Sequence, residues 1–545
     1  MAALSSLFSG RFRTGILIGL LLLGGLSSVL ASTGQKIFAS PDETATAVVA
    51  RGIGMEFKAA EEEPLAQEVP WLHPRSWVSQ GTTIVPIGFL GWPLLLSPFA
   101  RLFGVWILPW LGAGFILSAI YPVFHLLRRR FSVPLTLMGT ILLFTFPTVL
   151  LYTNRSLFAN APQLALLAWW AWLAKRIEGK ELVTDWALSL CGFVGMAALF
   201  LRPSEGGWMI PWMYWWFKGR KLSRSEWSHI ALGCVLFLVP LLFVNARTYG
   251  APWRIGYLLK DNLIGGLVQA SPSLVHPPTF SLIASLKSLL PYGFHPRHIW
   301  WNVSSFIGEM LWPWVLALVL VWIPILRTQG ALFYRASWRE KQQTLRSIAT
   351  SIPLWCAIWM GIWLLSFYGS GLYTDHIRPG AVTIGNSFLR YLLPVVPLWM
   401  YLVLTGLSEW SERAQRRLIP IICTVLALGG LFVVGMRDDE GLFATRAELV
   451  RYRSVRETAI QLFSPDTIIL SDRSDKIFFP IFRVVSPAPV GEARGLLTRR
   501  EDISLGLFAR TLTQKERDGW RAAGVDPVQV ASFDRERLYR LIPLK

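Results

Sequence analysis

Asp, Glu, Lys and Arg together make up only 16% of the 545 residues, where soluble chains average about 25%. That is too little charge to cover the surface of a soluble enzyme this long, and it excludes that class. Cysteine is nearly missing. The four that occur, Cys191, Cys234, Cys356 and Cys423, lie inside apolar runs at no metal-ligand spacing, which excludes a disulfide framework and reads as core packing. Also missing are a P-loop, a G-x-G-x-x-G turn, an H-E-x-x-H helix and a G-x-S-x-G elbow, so nucleotide and hydrolase chemistry has no local support. What is present is apolar: 53% hydrophobic residues, with 27 Trp, 32 Phe and 13 Tyr, and a mean hydropathy of +0.44. Such a chain is not disordered; it is an integral membrane protein.

Apolar segments fall near 14–32, 105–127, 133–152, 157–174, 186–201, 204–217, 228–246, 309–326, 349–369, 387–407 and 418–436, predicting about eleven spans. The first could also be a signal peptide, but its apolar run exceeds the usual length of about 7–15 residues, so it is read as retained. The net charge of +19 tests this layout. With the N-terminus cytoplasmic, the basic clusters at Arg11/Arg13, Arg128 to Arg130, Lys175/Arg176/Lys180, Lys218/Arg220/Lys221/Arg224, Arg327 to Arg346 and Arg413/Arg416/Arg417 all fall on inner connections, as the positive-inside rule requires. Their twenty basic residues account for most of the excess, and nucleic-acid binding is set aside. Val85 to Gly104 is apolar but broken by Pro86, Pro93 and Pro98, so it reads as interfacial or re-entrant. Arg202 and Glu205 fall at an outer hairpin.

An odd span count puts segments 33–104, 247–308 and 370–386 outside, with the C-terminus. The first is acidic, holding Asp42, Glu43, Glu56, Glu61, Glu62, Glu63 and Glu68. The second carries Arg247, Arg254, Lys260, Lys287, Arg297, His276, His295 and His298, a basic loop on the side where topology disfavours one; it is either solvated charge or an answer to an anionic ligand. Two domains are expected: residues 1–436 in the membrane and a soluble tail, 437–545, with 19 basic and 16 acidic residues. Runs at 466–470, 482–485, 528–533 and 538–542, with helical stretches at 440–463 and 513–523, predict a small α/β unit. The fold class is thus an all-α polytopic membrane protein carrying a small α/β tail.

A first span followed at once by Pro41-Asp42-Glu43 and a long outer loop resembles the GT-C class of polytopic glycosyltransferases, with bacterial protein O-mannosyltransferase and lipid A aminoarabinose transferase relatives as the nearest types. The stretch Gly88 to Gly104, GFLGWPLLLSPFARLFG, is similar to that family's GYPLLLAPFYRLFG. Leu201-Arg202-Pro203 looks like its TRP hairpin, Tyr249-Gly250-Ala251-Pro252 with Gly256-Tyr257 like its YGSP…GY loop, and Arg390 to Pro394 like its RYLLP element. The likeness covers residues 1 to about 410 and does not reach the tail. Thr44-Ala45-Thr46 stands where the family often has an aromatic residue after the acidic pair.

The resemblance implies sugar transfer from a polyprenyl-phosphate-linked donor, in the cytoplasmic membrane of a bacterium, to a lipid, glycan or protein acceptor on the outer face. It points to Asp42 as the base that takes the acceptor proton, with Glu43 supporting it or helping to hold a divalent cation. The bland reading of Asp42 is a helix cap. A departing phosphate needs positive charge, for which Arg75, Arg202, Lys260, Arg297 and Arg390 are candidates; Arg202 could instead pair with Glu205. Tyr257, His295 and Tyr391 are candidate substrate contacts, and His73 with Glu63 a candidate metal pair. A transporter or flippase of lipid-linked glycans, or an inert membrane scaffold for the tail, are the alternatives.

Overall fold

The computed structural model describes residues 37–181, 184–218, 222–257, 259, 292–335, 337–338, 340, 342, 351–373, 382–486 and 503–544. The first apolar segment and Lys260 lie outside these residues. The chain divides into two compact units, each assembled from separated stretches: residues 1–29, 110–238 and 273–444 in one, and 30–109, 239–272 and 445–545 in the other.

Among the described residues three helices are long and apolar enough to cross a membrane: Val105–Arg128, Arg224–Tyr249 and Glu412–Met436. Three helix pairs qualify jointly but bend between their halves: Val133–Thr145 with Pro147–Asn154 by 58°, Asp185–Leu201 with Pro203–Lys218 by 100°, and Pro296–Met310 with Trp312–Arg327 by 82°. Ile352–Tyr368 and Val395–Ser408 are apolar and shorter. The described crossings are therefore three, or six when each bent pair counts once, against the eleven apolar segments of the sequence. Two of the bends have a plain cause. A residue before proline is pushed out of the helical region, and Phe146 and Arg202, which precede Pro147 and Pro203, take ψ values of 131° and 83°.

In the helical unit the basic clusters gather. Glu181 joins Arg129 at 3.1 Å and Arg176 at 3.4 Å, the Lys175 ammonium lies 4.8 Å from the Trp216 ring, and His229 reaches Asp185 at 3.2 Å. Three clusters that the positive-inside rule assigns to one face thus meet at one end of the helices. The helices Asn160–Glu178 and Asp185–Leu201 start or finish there and lead, at about 1.5 Å per residue, to a polar cluster roughly 24 Å away.

The second unit is built on two sheets. Strands β1 (Glu61–Glu62), β2 (Trp77–Gln80) and β3 (Thr83–Pro86) pair antiparallel in the order β1-β3-β2. The tail supplies β4 (Ile468–Ser471), β5 (Arg483–Val485), β6 (Leu505–Arg510), β7 (Val525–Phe533) and β8 (Glu536–Pro543). Their order is β5-β4-β6-β8-β7, with β4 parallel to β5 and β6 and the remaining pairs antiparallel. Gln514–Ala522 is the expected tail helix, started by a capping box between Thr513 and Glu516 that satisfies backbone donors at both positions.

The tail does not close its own core. Leu65, Val69 and Leu72 from the first loop are buried among Ile468, Leu470, Leu505, Leu507, Trp520 and Tyr539. Two charge contacts edge this packing, Arg483 with Glu63 at 3.2 Å and Arg75 with Asp475 at 2.7 Å. The apolar stretch before Gly104 is a helix of 13 residues, Gly91–Phe103, too short to span. It packs on Pro41–Glu56 at Gly54, where a Cβ would meet the Ser97 carbonyl oxygen at 2.5 Å. Its far side exposes Phe99, Leu102 and Phe103, which fits an interfacial helix.

Candidate active-site elements

The helical unit holds a buried aromatic and arginine cluster where Asp185–Leu201 breaks. Arg202, the residue left outside the helix by Pro203, donates to Glu205 at 3.4 Å, to Asn160 at 3.1 Å and to the Tyr368 hydroxyl at 2.8 Å. That hydroxyl donates its one proton to Glu205 at 2.8 Å, so Ser204, 2.9 Å away, donates to it. Glu205 also accepts from the Trp208 indole and is only 1% exposed. The guanidinium of Arg202 lies over the Tyr391 ring at 4.8 Å, and Tyr391 stacks on Tyr368 at 4.2 Å. An ion pair this dry survives because both groups hold further hydrogen bonds, Arg202 to Asn160 and Tyr368 and Glu205 to Tyr368 and Trp208. Arg202 is thus committed to Glu205.

Arg390 belongs to the same cluster. It sits on the short helix Ser387–Tyr391, capped by the Asn386 side chain, with its guanidinium 4.2 Å from the Phe158 ring centroid and donating to Ser387 at 3.0 Å. Arg155 approaches the same ring at 4.9 Å. Asn160 ties the group together by donating to the Arg390 carbonyl at 3.3 Å while accepting from Arg202. The structure therefore brings Arg202, Arg390 and Tyr391 together. Arg297 and His295 lie on the turn into Pro296–Asn302, both exposed; there His298 meets the Ser370 carbonyl at 3.0 Å and Ser370 accepts from the His295 N–H at 2.9 Å.

In the other unit Pro41-Asp42-Glu43 forms the first turn of Pro41–Glu56. Ser40 caps it, accepting from the Asp42 N–H, so Ser40 holds the cap position proposed for the acidic pair. The two carboxylates part company there: Glu43 is 5% exposed, whereas Asp42 faces outward and accepts from the Ser76 hydroxyl at 2.7 Å. A carboxylate in the first helical turn is also favoured by the helix dipole. Asp42 is open to solvent where Glu43 is not.

The remaining candidates of this unit have local partners. Arg75 donates through its N–H and its Nε to Asp475, both at 2.9 Å, and through Nη2 to the Arg473 carbonyl at 2.5 Å, so its guanidinium organises the loop. Glu63 holds Arg483 and accepts from the Leu65 N–H at 3.3 Å; burial raises its pKa above the ordinary 4.5, with Arg483 opposing. His73 contacts the Pro74 carbonyl at 3.0 Å. Among the described residues no three His, Cys, Asp or Glu side chains form a group able to hold a metal. Tyr257 stands 48% exposed with its ring 5.0 Å from Phe89. Its loop is fixed by Tyr249, whose buried hydroxyl donates to the Pro86 carbonyl at 2.9 Å.

Sequence reasoning missed Ser76, Glu205's three-way bonding and Asp475. Ser76 had a local signal in its place beside Arg75, and Glu205 in its spacing to Arg202 and Trp208; Asp475 had none.

The sequence matches no protein-family model and no curated protein. The fold does match solved structures. ArnT from Cupriavidus metallidurans in the apo state superposes with a TM-score of 0.52 at 12% identity, covering 98% of each chain. The same ArnT bound to undecaprenyl phosphate gives 0.51 at 13% identity, covering 97% of this chain and 98% of that one. The chain therefore shares the fold of these structures over nearly its whole length, the tail included.

Proposed function

We propose that the protein transfers a sugar from a polyprenyl-phosphate donor to an acceptor at the outer face of the cytoplasmic membrane. The observation that carries this reading is the match over nearly the whole chain to a fold that, in ArnT, binds undecaprenyl phosphate. Asp42, exposed at a capped helix start and oriented by Ser76, is the base: it takes the proton of an acceptor hydroxyl as that oxygen attacks the sugar, and the lipid phosphate leaves with the bonding electrons. Glu43 supports the turn from its buried side. Arg390 and the exposed Arg297 are the described cations proposed for the departing phosphate, with Lys260 from the basic loop; Arg202 supports Arg390 through Asn160, and Tyr257, His295 and Tyr391 are the proposed sugar and lipid-head contacts.

The two ends of the helical unit support this side of the membrane. The basic clusters lie at one end and the Arg202–Arg390 cluster at the other, so a cytoplasmic basic end makes the arginine cluster extracytoplasmic.

The test uses protein in liposomes with undecaprenyl-phosphate-mannose and undecaprenyl-phosphate-aminoarabinose as donors and lipid A or a bacterial membrane fraction as acceptor. Asp42→Asn is expected to lower transfer by at least about 100-fold, the usual worth of a positioned base, while Glu43→Gln keeps measurable activity. Full transfer by Asp42→Asn overturns the base. Lipid-linked sugar movement across the bilayer without transfer would instead make the protein a flippase.

A further inference from the structure

The tail turn Arg473–Lys476 is tied twice to the candidate base. On one side Lys476 Nζ donates to the Ala39 carbonyl at 2.6 Å, and Ala39 is followed by Ser40, the residue that caps the Asp42 helix. On the other, Asp475 takes the Arg75 N–H and Nε at 2.9 Å each, and the next residue, Ser76, donates to Asp42 at 2.7 Å. Ser76 has little freedom to move off this line. Its carbonyl accepts from the Ile87 N–H at 3.0 Å, and Trp77, 1% exposed, pairs with Pro86 across β2 and β3 and packs its ring 5.2 Å from Phe479 of the tail.

The turn itself is anchored. Asp475 is fully buried, a costly place for a carboxylate unless a forked guanidinium and backbone donors enclose it; Arg75 supplies both. Behind it Arg456, 6% exposed, donates to the carbonyls of Lys476, Ile477 and Phe479. A buried arginine that braces the last carbonyl of the turn and two just after it holds the segment by which the turn is anchored.

We propose that the C-terminal domain is a positioning device for Asp42: the Arg473–Lys476 turn, acting through Arg75 and Ser76 on one side and Ala39 and Ser40 on the other, sets the rotamer and place of the base. The proposal rests on Asp42 being that base. None of these residues touches substrate in this account; they act through Asp42. Misplacing a reacting group by about 1 Å costs up to about 100-fold in rate, and losing one hydroxyl that holds a carboxylate oxygen is expected to cost part of that.

The experiment combines activity with local hydrogen exchange on the full-length protein. Ser76→Ala is expected to lower kcat about ten-fold with donor KM within two-fold of wild type, Ser76→Thr to restore it, and Lys476→Met to lower kcat in the same manner. In both damaged variants amide exchange quickens in residues 42–46 and stays at the wild-type rate in residues 51–56, with the thermal midpoint little changed, which separates positioning from unfolding. Asp475→Asn is a harsher variant and is read only by exchange. Wild-type kcat and wild-type exchange in Ser76→Ala and Lys476→Met would overturn the proposal while leaving Asp42 as the base. Full activity in Asp42→Asn would remove the base itself. A Ser76→Thr protein as impaired as Ser76→Ala would also count against the proposal.

Discussion

At the scale of single residues, the motifs read from the sequence mark positions whose physical task only the folded chain shows. Gly256 abuts the Pro86 carbonyl and Ile87 so closely that any Cβ would overlap them, and Tyr249 reaches the same carbonyl. The loop 249–257 and the stretch after residue 86, two separate lines of the resemblance, are halves of one contact. The acidic pair was legible as a pair; which member faces outward was not, because that depends on how Pro41–Glu56 packs. Arg75 looked like a free cation because its partner is distant in sequence, Asp475 lying 400 positions away; for Arg202 the pairing with Glu205, three residues on, was readable, whereas its bond to Tyr368, 166 positions away, was not. The Arg202–Glu205 pair gives a stability prediction. Glu205→Gln strands a buried guanidinium, an error worth about 3–5 kcal/mol, and should lower the thermal midpoint sharply. The double variant Arg202→Met/Glu205→Gln should recover part of that loss, since it removes the stranded charge; a double variant as unstable as the sum of the singles would show that the two residues do not act as a pair.

At the scale of elements, the apolar runs within the described residues are helices, since a long run of such residues has no other way to satisfy its backbone in lipid. Their breaks were less legible: hydropathy averages across Pro147 and Pro203, whereas the backbone turns there. Among the described residues of the tail, the two longer helices and four of the five strands fall where the periodicity placed them, while β6 and the short helix Asp475–Phe478 were missed. Its Leu505-Gly506-Leu507-Phe508 core has no polar alternation because it lies inside the sheet between β4 and β8, and buried strands lose that signal. The loop's insertion into the tail core had no local signature at all. It does have a pH signature. Glu61 and Glu63 both have pKa values raised by burial, against Arg51 and Arg483 respectively. A carboxyl that holds its proton more tightly when folded contributes stability below the ordinary value of 4.5 and loses it as pH rises through the higher folded value. Thermal melts of the full-length protein should therefore fall as pH rises just above 4.5, and Glu63→Gln should flatten that fall. Parallel curves for wild type and variant would show that Glu63 titrates alike in both states.

At the scale of the whole molecule, the charge asymmetry of the sequence becomes an orientation. The last apolar helix, Glu412–Met436, begins beside Arg413, Arg416 and Arg417 and delivers the chain to Glu440, which accepts from Thr383 at 2.6 Å and lies with Arg155 around Gly385, at the arginine-cluster end. Since Arg155 shares Phe158 with Arg390, the helical unit ends where the proposed chemistry is, and the basic clusters lie at the far end of the same helices. On the proposed orientation, with inner basic loops, the following 109 residues are extracytoplasmic, as the proposed positioning of Asp42 by the tail also expects. In spheroplasts, an impermeant maleimide should label Lys515→Cys without lysis and Ser225→Cys only after it, both residues being exposed and the four native cysteines lying in apolar helices. Labelling in the reverse order would invert the molecule, putting the tail and Asp42 with the cytoplasm, and the outer-face transfer would fall with it.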